Sequence, residues 1–163
     1  MPRSTLPTIP LVVFGIIEPI LLVIAYITAM SNPRQYFADQ SPSFAVAQNQ
    51  WTPQALGMTL QMANVLLLLA PLAVVACWSR DANTARGFLF CVALADFGHI
   101  YATYAAVGPA IFWDYRGWNG AVGGNIAGSA VLNVLRWMTL FGVLGKVEDG
   151  EGVVVAKDLK KRA

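Results

Sequence analysis

Four long apolar runs, separated by shorter polar or charged stretches, dominate the pattern of hydrophobic and polar positions along the chain. They cover residues 9–30, 54–78, 87–107 and 121–145. An α-helix needs roughly 20 apolar residues to cross the hydrocarbon core of a bilayer, and each run reaches that length. The pattern therefore predicts an all-α fold, in which a single domain forms an integral membrane bundle of four transmembrane helices.

Composition and charge point to the same class of protein. Of the 163 residues, 56% are hydrophobic and 12% are charged, whereas a soluble domain carries roughly 25% charged residues. The net charge of +2 is small and concentrated near the ends, which argues against nucleic-acid binding. Cys77 and Cys91 lie inside apolar runs without metal-ligand spacing, and both fit small core positions. We expect no metal and no cofactor.

Positive charge is distributed unevenly between the two sides of the predicted bundle. Four crossings place both termini on one side, and positively charged flanks stay cytosolic. That side holds Arg3, Arg80, Arg86, Lys146, Lys157, Lys160, Lys161 and Arg162, against Arg34 and Arg116 on the other. Both termini and the tail 146–163 are therefore predicted to be cytosolic. Lys160-Lys161 resembles the dilysine retrieval signal of the endoplasmic reticulum, although a solvated basic tail has the same composition.

Polar side chains from all four runs fall at similar depths. An ionisable group inside a bilayer costs several kcal/mol unless it is paired or faces a polar cavity. The two acids and the arginine lie about nine residues from the predicted cytosolic ends, roughly 13 Å by the helical rise, and the others lie about one turn deeper. We therefore expect these side chains to meet in a polar centre that opens toward the cytosolic half. The set comprises Glu18, Asp96, Arg136, His99, Asn133 and Asn64.

Helical spacing predicts which faces turn inward. Polar stripes occur on three runs, and lipid offers such groups no hydrogen bonds. Gly124 and Gly128 are small residues four apart that favour close helix approach. Pro19 cannot donate to the carbonyl of Gly15, so the first run should bend beside Glu18. The stripes are Gln61 and Asn64, then Asp96, His99 and Thr103, then Asn125, Ser129, Asn133 and Arg136.

The charges in this set restrict its chemistry. Arg136 stays protonated and needs at least one carboxylate. Glu18 and Asp96 supply two, so either both are ionised around Arg136 or one keeps its proton. The second arrangement pairs an acid with a base, as proton-transfer catalysis requires. A purely structural role competes with this interpretation, because an arginine with one acid can also join helices.

Four segments carry a resemblance to a known family. They are Ile17-Glu18-Pro19, Ala95-Asp96-Phe97-Gly98-His99, Phe112-Trp113 with Trp118, and Arg136. Over roughly residues 6–144 the chain resembles small fungal integral-membrane proteins with four spans. That family includes epoxide hydrolases or cyclases of aurovertin- and citreoviridin-type polyketide pathways, which implies a lipophilic epoxide as substrate. A fainter resemblance, to emopamil-binding-like sterol isomerases, implies one span more than this chain has.

These observations lead to three functional hypotheses. The first is an enzyme that opens epoxides by general acid–base catalysis, with Asp96 and Glu18 as acid and base and Arg136 as their bridge. The second is a terpenoid or sterol isomerase or cyclase, and the third a structural or transport-assisting membrane protein. A lipophilic substrate would enter from the surrounding lipid, and a homo-oligomer is compatible with the sequence. His99 is predicted as a further catalytic residue that positions groups or shuttles a proton, and positioning roles are predicted for Asn133, Asn64, Trp113 and Tyr101. Cation-stabilising rings would be Tyr101, Tyr104, Trp137 and Phe141.

Overall fold

A computed structural model describes residues 4–41 and 50–149. Within these ranges the chain forms helices and turns without any β-strand, which confirms the all-α prediction for the described part. The predicted tail from residue 150 onward, including Lys160 and Lys161, lies outside the described residues.

Three helices are long and apolar enough to cross a membrane: Thr8–Ser31, Pro53–Cys77 and Ala82–Trp113, hereafter the first, second and third helices. Their outer faces expose large apolar side chains such as Ile20 and Leu68. Such a surface is typical of helices surrounded by lipid. Both observations are compatible with a membrane protein.

The fourth predicted span is helical but differs from the other three. It consists of Gly120–Gly123, a π-helical segment at Gly124–Gly128, and Ser129–Leu140, and we call residues 120–140 the fourth helix. The described residues therefore contain three candidate spans by length and composition, fewer than the four predicted. The fourth falls short because asparagines, glycines and Arg136 interrupt its apolar residues.

Two segments predicted as loops contain helix. Pro33–Asp39 forms a short connecting helix, where the Asn32 side chain accepts a hydrogen bond from the Gln35 N–H at 3.2 Å. The third helix begins at Ala82, within the predicted turn, because Asp81 caps its first N–H groups. Near its other end, Gly108 leaves helical geometry at φ 77°. This break comes directly after the predicted end of the third span.

The first helix departs from α-helical hydrogen bonding just before Pro19, and the bend predicted there stays a prediction. The five residues before Glu18, Val13–Ile17, form a π-helical segment. The Gly15 carbonyl, which Pro19 cannot engage, instead accepts a hydrogen bond from the Trp78 indole N–H at 3.1 Å. A Cβ on Gly15 would lie 3.0 Å from that indole nitrogen, so glycine permits the contact.

The helices associate mainly as two pairs, the first with the second and the third with the fourth. The second helix turns a face of small residues inward, which lets the first helix approach closely. A Cβ on Gly124 or Gly128 would meet no neighbouring atom, so the predicted close approach at those glycines is wrong. The buried residues of the second helix are Thr59, Ala63, Ala70, Ala73, Ala76 and Cys77.

Both ends of the described chain meet at one end of the bundle, and we call residues 4–7 with 147–149 the terminal plug. Leu6 and Val147 are buried there against Phe14 and Leu89. Hydrogen bonds hold the plug to itself and to the turn between the second and third helices. They join Ser4 Oγ to the Cys77 carbonyl (2.6 Å), the Glu148 N–H to the Thr5 carbonyl (3.3 Å), and the Ala82 N–H to Asp149 Oδ1 (2.7 Å).

Candidate active site

Arg136 lies at the centre of the charged residues and is completely buried. Its Nη1 donates to Asp96 Oδ2 at 2.5 Å, and its Nη2 donates to Glu18 Oε1. One guanidinium therefore joins the first, third and fourth helices. The predicted meeting of two acids and one arginine is confirmed.

The Arg136 guanidinium also makes a cation–π contact with an aromatic ring. Phe14, which is fully buried, lies with its ring centroid 5.1 Å from the Arg136 Cζ. A cation so close to a desolvated ring is attracted by the negative face of the π system. Phe14 precedes Glu18 by one helical turn and shares its face, so the i, i+4 spacing could have identified it. Sequence reasoning missed this residue.

Each carboxyl group accepts a hydrogen bond from Arg136 with only one of its oxygens. Glu18 Oε2 and Arg136 Nε are buried without a hydrogen-bond partner among the described residues. The bonds to Asp96 from described residues likewise all reach Oδ2. The two side chains remain 11% and 12% exposed, so the pair is nearly but not fully closed off. Glu18 Oε2 and Asp96 Oδ1 are thus the carboxyl oxygens that Arg136 leaves unbonded.

Asn133 secures the position of Asp96. Its Nδ2 donates to the Ala93 carbonyl at 2.6 Å and makes a longer contact of 3.4 Å to Asp96 Oδ2. The side chain is buried, so both contacts are shielded from water. Asn133 therefore joins the third and fourth helices and positions a carboxyl in the same arrangement. We call Phe14, Glu18, Asp96, Asn133 and Arg136 the Arg136 cluster.

His99 lies one turn beyond Asp96 but has a different partner. Its Nε2 is 3.3 Å from Asn125 Oδ1, in the π-helical segment of the fourth helix. The imidazole is exposed and forms no hydrogen bond with the Arg136 cluster. The structure therefore places His99 beside the acid pair and not within it.

A family model described as a domain of unknown function (DUF7704) matches residues 3–146, which include the whole Arg136 cluster. The chain belongs to this family. No curated protein and no solved structure matches the chain.

The remaining predicted site residues of this DUF7704 member lie apart from the cluster. Asn64 is exposed because the second helix buries its alanine face and turns the Gln61–Asn64 stripe outward, opposite to the prediction. Tyr101 is 69% exposed and Trp113 is 75% exposed, so neither reaches the carboxyls. The aromatic rings proposed to line a cavity pack on one another instead, as Trp137 does with Phe141 at 5.7 Å.

The opening of the polar centre toward the cytosolic half stays a prediction. A layer of apolar side chains of the DUF7704 fold packs with the terminal plug at one end of the bundle. Among the described residues, no group of three or more His, Cys, Asp or Glu could hold a metal ion. The apolar layer comprises Leu6, Phe14, Leu89 and Val147, with Leu132, Leu135 and Leu140 packed against it.

Proposed function

We propose that this protein is a membrane-embedded enzyme that opens an epoxide of a lipophilic substrate by general acid–base catalysis. One observation carries the proposal: two nearly buried carboxyls are bridged by one arginine, and each retains one oxygen free of it. A bundle held only by helix packing does not need three charged groups at such cost.

The reaction needs one proton donor and one proton acceptor, and the carboxyl pair supplies both. One carboxyl, in its protonated form, gives its proton to the ring oxygen as the carbon–oxygen bond breaks. The other, as carboxylate, takes a proton from the attacking water or substrate hydroxyl as its oxygen bonds to carbon. Arg136 keeps its charge and its bonds to both groups throughout. Acid and base end with exchanged protonation states, and transfer of one proton resets them.

Two features of the fold support the proposed membrane setting. The three candidate spans support it, and the terminal plug brings both chain ends to one end of the bundle. Ends on one side of a membrane require an even number of crossings, which favours the fourth helix as a fourth span. We place both termini in the cytosol and the protein in the endoplasmic reticulum on the basis of its basic residues. The resemblance to fungal proteins favours a polyketide-type epoxide.

The two alternative functions, an isomerase or cyclase and a purely structural role, require different properties of the Arg136 cluster. An isomerase or cyclase working through a carbocation needs aromatic rings around the substrate, but Tyr101 and Phe141 are 69% and 76% exposed. A purely structural role is favoured by the full burial of Arg136. The structural role predicts that loss of either acid removes the protein from the membrane.

The test compares turnover with protein level. Wild-type protein in detergent or microsomes is given a polyene epoxide in ¹⁸O-labelled water, beside Glu18→Gln and Asp96→Asn. General acid–base groups contribute about 10²–10⁴-fold, so each variant should lose at least about 10²-fold in kcat at an unchanged protein level. Asp114→Asn is the control, since this exposed acid lies at the far end of the third helix, beyond its break at Gly108.

The other outcomes separate the alternatives. Full turnover by either variant would exclude its carboxyl from the chemistry. Absence of both variants from the membrane would support the structural role. Migration of a double bond without uptake of ¹⁸O or ring opening would support the isomerase.

A further inference from the structure

A chain of side-chain hydrogen bonds runs from the connecting helix to His99. Gln40 Nε2 donates to the Tyr36 carbonyl at 3.1 Å, and Asn125 Nδ2 donates to Gln40 Oε1 at 2.9 Å. Asn125 Oδ1 then lies 3.3 Å from His99 Nε2. The chain begins at a backbone carbonyl and ends at the imidazole ring.

The carbonyl at the start determines the direction of every bond after it. A carbonyl can only accept, so Gln40 must turn its NH₂ toward Tyr36 and its oxygen toward Asn125. Asn125 must then offer its NH₂ to Gln40, which leaves its own oxygen facing His99. An amide oxygen can only accept, so His99 Nε2 must carry a proton.

This direction decides what the other ring nitrogen can do. A neutral imidazole carries one proton, so a proton on Nε2 leaves a lone pair on Nδ1. No described residue forms a hydrogen bond with Nδ1, and the ring is exposed. Asp96 is three residues back on the same helix face and is the ionisable group nearest in sequence. Asn125 reaches His99 from a π-helical segment, a departure from α-geometry that is frequent at functional sites.

We infer that Asn125 and Gln40 are positioning residues that hold neutral His99 as its Nε2–H tautomer, so that Nδ1 serves as a proton acceptor beside Asp96. This role rests on the proposed function. When the Asp96 carboxyl carries a proton after a turnover, its O–H bond breaks and a proton passes through an intervening water to Nδ1, giving carboxylate and imidazolium. The imidazolium then releases the proton to water, and the acid, which gave its proton to the ring oxygen, takes one from water, so the cycle consumes and releases no net proton. Asp96 is thereby returned to its starting state without the release of a proton through the apolar layer.

Reversing one donor tests the whole chain, and the single histidine of the sequence makes the readout clean. Protein labelled with ¹⁵N-histidine is examined by NMR at a pH where the ring is neutral, without substrate. Wild type should show a protonated Nε2 and an unprotonated Nδ1. In Gln40→Lys, a donor-only ammonium faces Asn125, which should turn its amide and move the proton to Nδ1. Gln40→Glu keeps an acceptor oxygen and should retain the wild-type tautomer.

Gln35→Lys is the matched control, because Gln35 is exposed on the same connecting helix and its partner Asp39 also accepts from lysine. Its spectrum should equal that of wild type. A protonated Nδ1 in wild type, or an unchanged tautomer in Gln40→Lys, would overturn the inference. This result does not depend on whether the protein opens epoxides.

Turnover tests the proton-acceptor role separately. If wild type opens epoxides, Gln40→Lys should lower kcat roughly ten-fold or more with little change in KM, and Gln40→Glu should restore it. A reversed tautomer with undiminished kcat would exclude Nδ1 from the proton path. If wild type opens no epoxide while the tautomers behave as expected, the proposed function fails and the positioning of His99 stands.

Discussion

The Trp78 indole N–H donates to the Gly15 carbonyl in place of the N–H that Pro19 lacks. The burial of this carbonyl lets us predict how much the free energy of unfolding falls when the hydrogen bond is removed. Trp78→Phe keeps an aromatic ring but removes the N–H that lies 3.1 Å from the Gly15 carbonyl. Gly15 is buried, so water cannot easily replace the lost donor. A buried acceptor left without a partner costs about 1–3 kcal/mol. We expect the free energy of unfolding to fall by this amount.

Equilibrium unfolding in mixed detergent micelles, followed by circular dichroism, measures the change. Trp113→Phe is the control, because Trp113 is 75% exposed and its indole donates no hydrogen bond among the described residues. Pro19→Ala supplies a second arm, since it restores an N–H four residues after Gly15. In the Pro19→Ala background, Trp78→Phe should lower the free energy of unfolding by less than it does in the wild type. A double-mutant cycle measures this difference. A loss equal to that of the control, or the same loss in both backgrounds, would refute the reasoning.

Two further predictions concern charge. Arg136→Met leaves two carboxyls without their cation, so the free energy of unfolding should fall by about 3–5 kcal/mol in the same assay. Arg116→Met, at an exposed position, is the control. A loss as small as that of the control would contradict the prediction. The Thr84 hydroxyl, with the backbone N–H groups of Asn83 and Thr84, lowers the pKa of Asp81. Its stabilising contribution is therefore complete above the carboxyl's ordinary pKa and is lost as pH falls through the lowered value. Asp81→Asn should flatten the acid side of the stability–pH curve, and an unchanged slope would count against the cap.

Residue counting along a helix predicts depth well, and this is why the charged cluster could be found from sequence. Glu18, Asp96 and Arg136 occupy equivalent levels, and burying any of them alone is costly, so depth and charge together indicate a meeting point. Pro19 indicated that the Gly15 carbonyl would lack its helical donor, and the Trp78 indole N–H donates to that carbonyl instead. In each case the inference used spacing along one helix and a strong energetic penalty.

Which face each helix buries was harder to predict, because it depends on how the helix is rotated about its axis relative to its neighbours. Gln61 and Asn64 form a polar stripe, yet the second helix buries small residues such as Ala63 and Ala70 instead. Close approach of two backbones stabilises that face, and the polar stripe was the more conspicuous but weaker signal. Gln40 escaped prediction for another reason. It follows a short helix in a stretch whose composition indicates a loop, and its partners are distant in sequence.

The terminal plug has a consequence for how the protein is made. Thr5 and Leu6 leave the ribosome before the four helices, whereas Val147 and Glu148, which contact them in the fold, emerge only after the fourth helix has been synthesised. Until then the start of the chain lacks its final partners, and contacts between such distant positions close late. Docking of residues 147–149 onto residues 4–7 is thus a late step of folding, and a nascent chain arrested before residue 147 would lack these contacts.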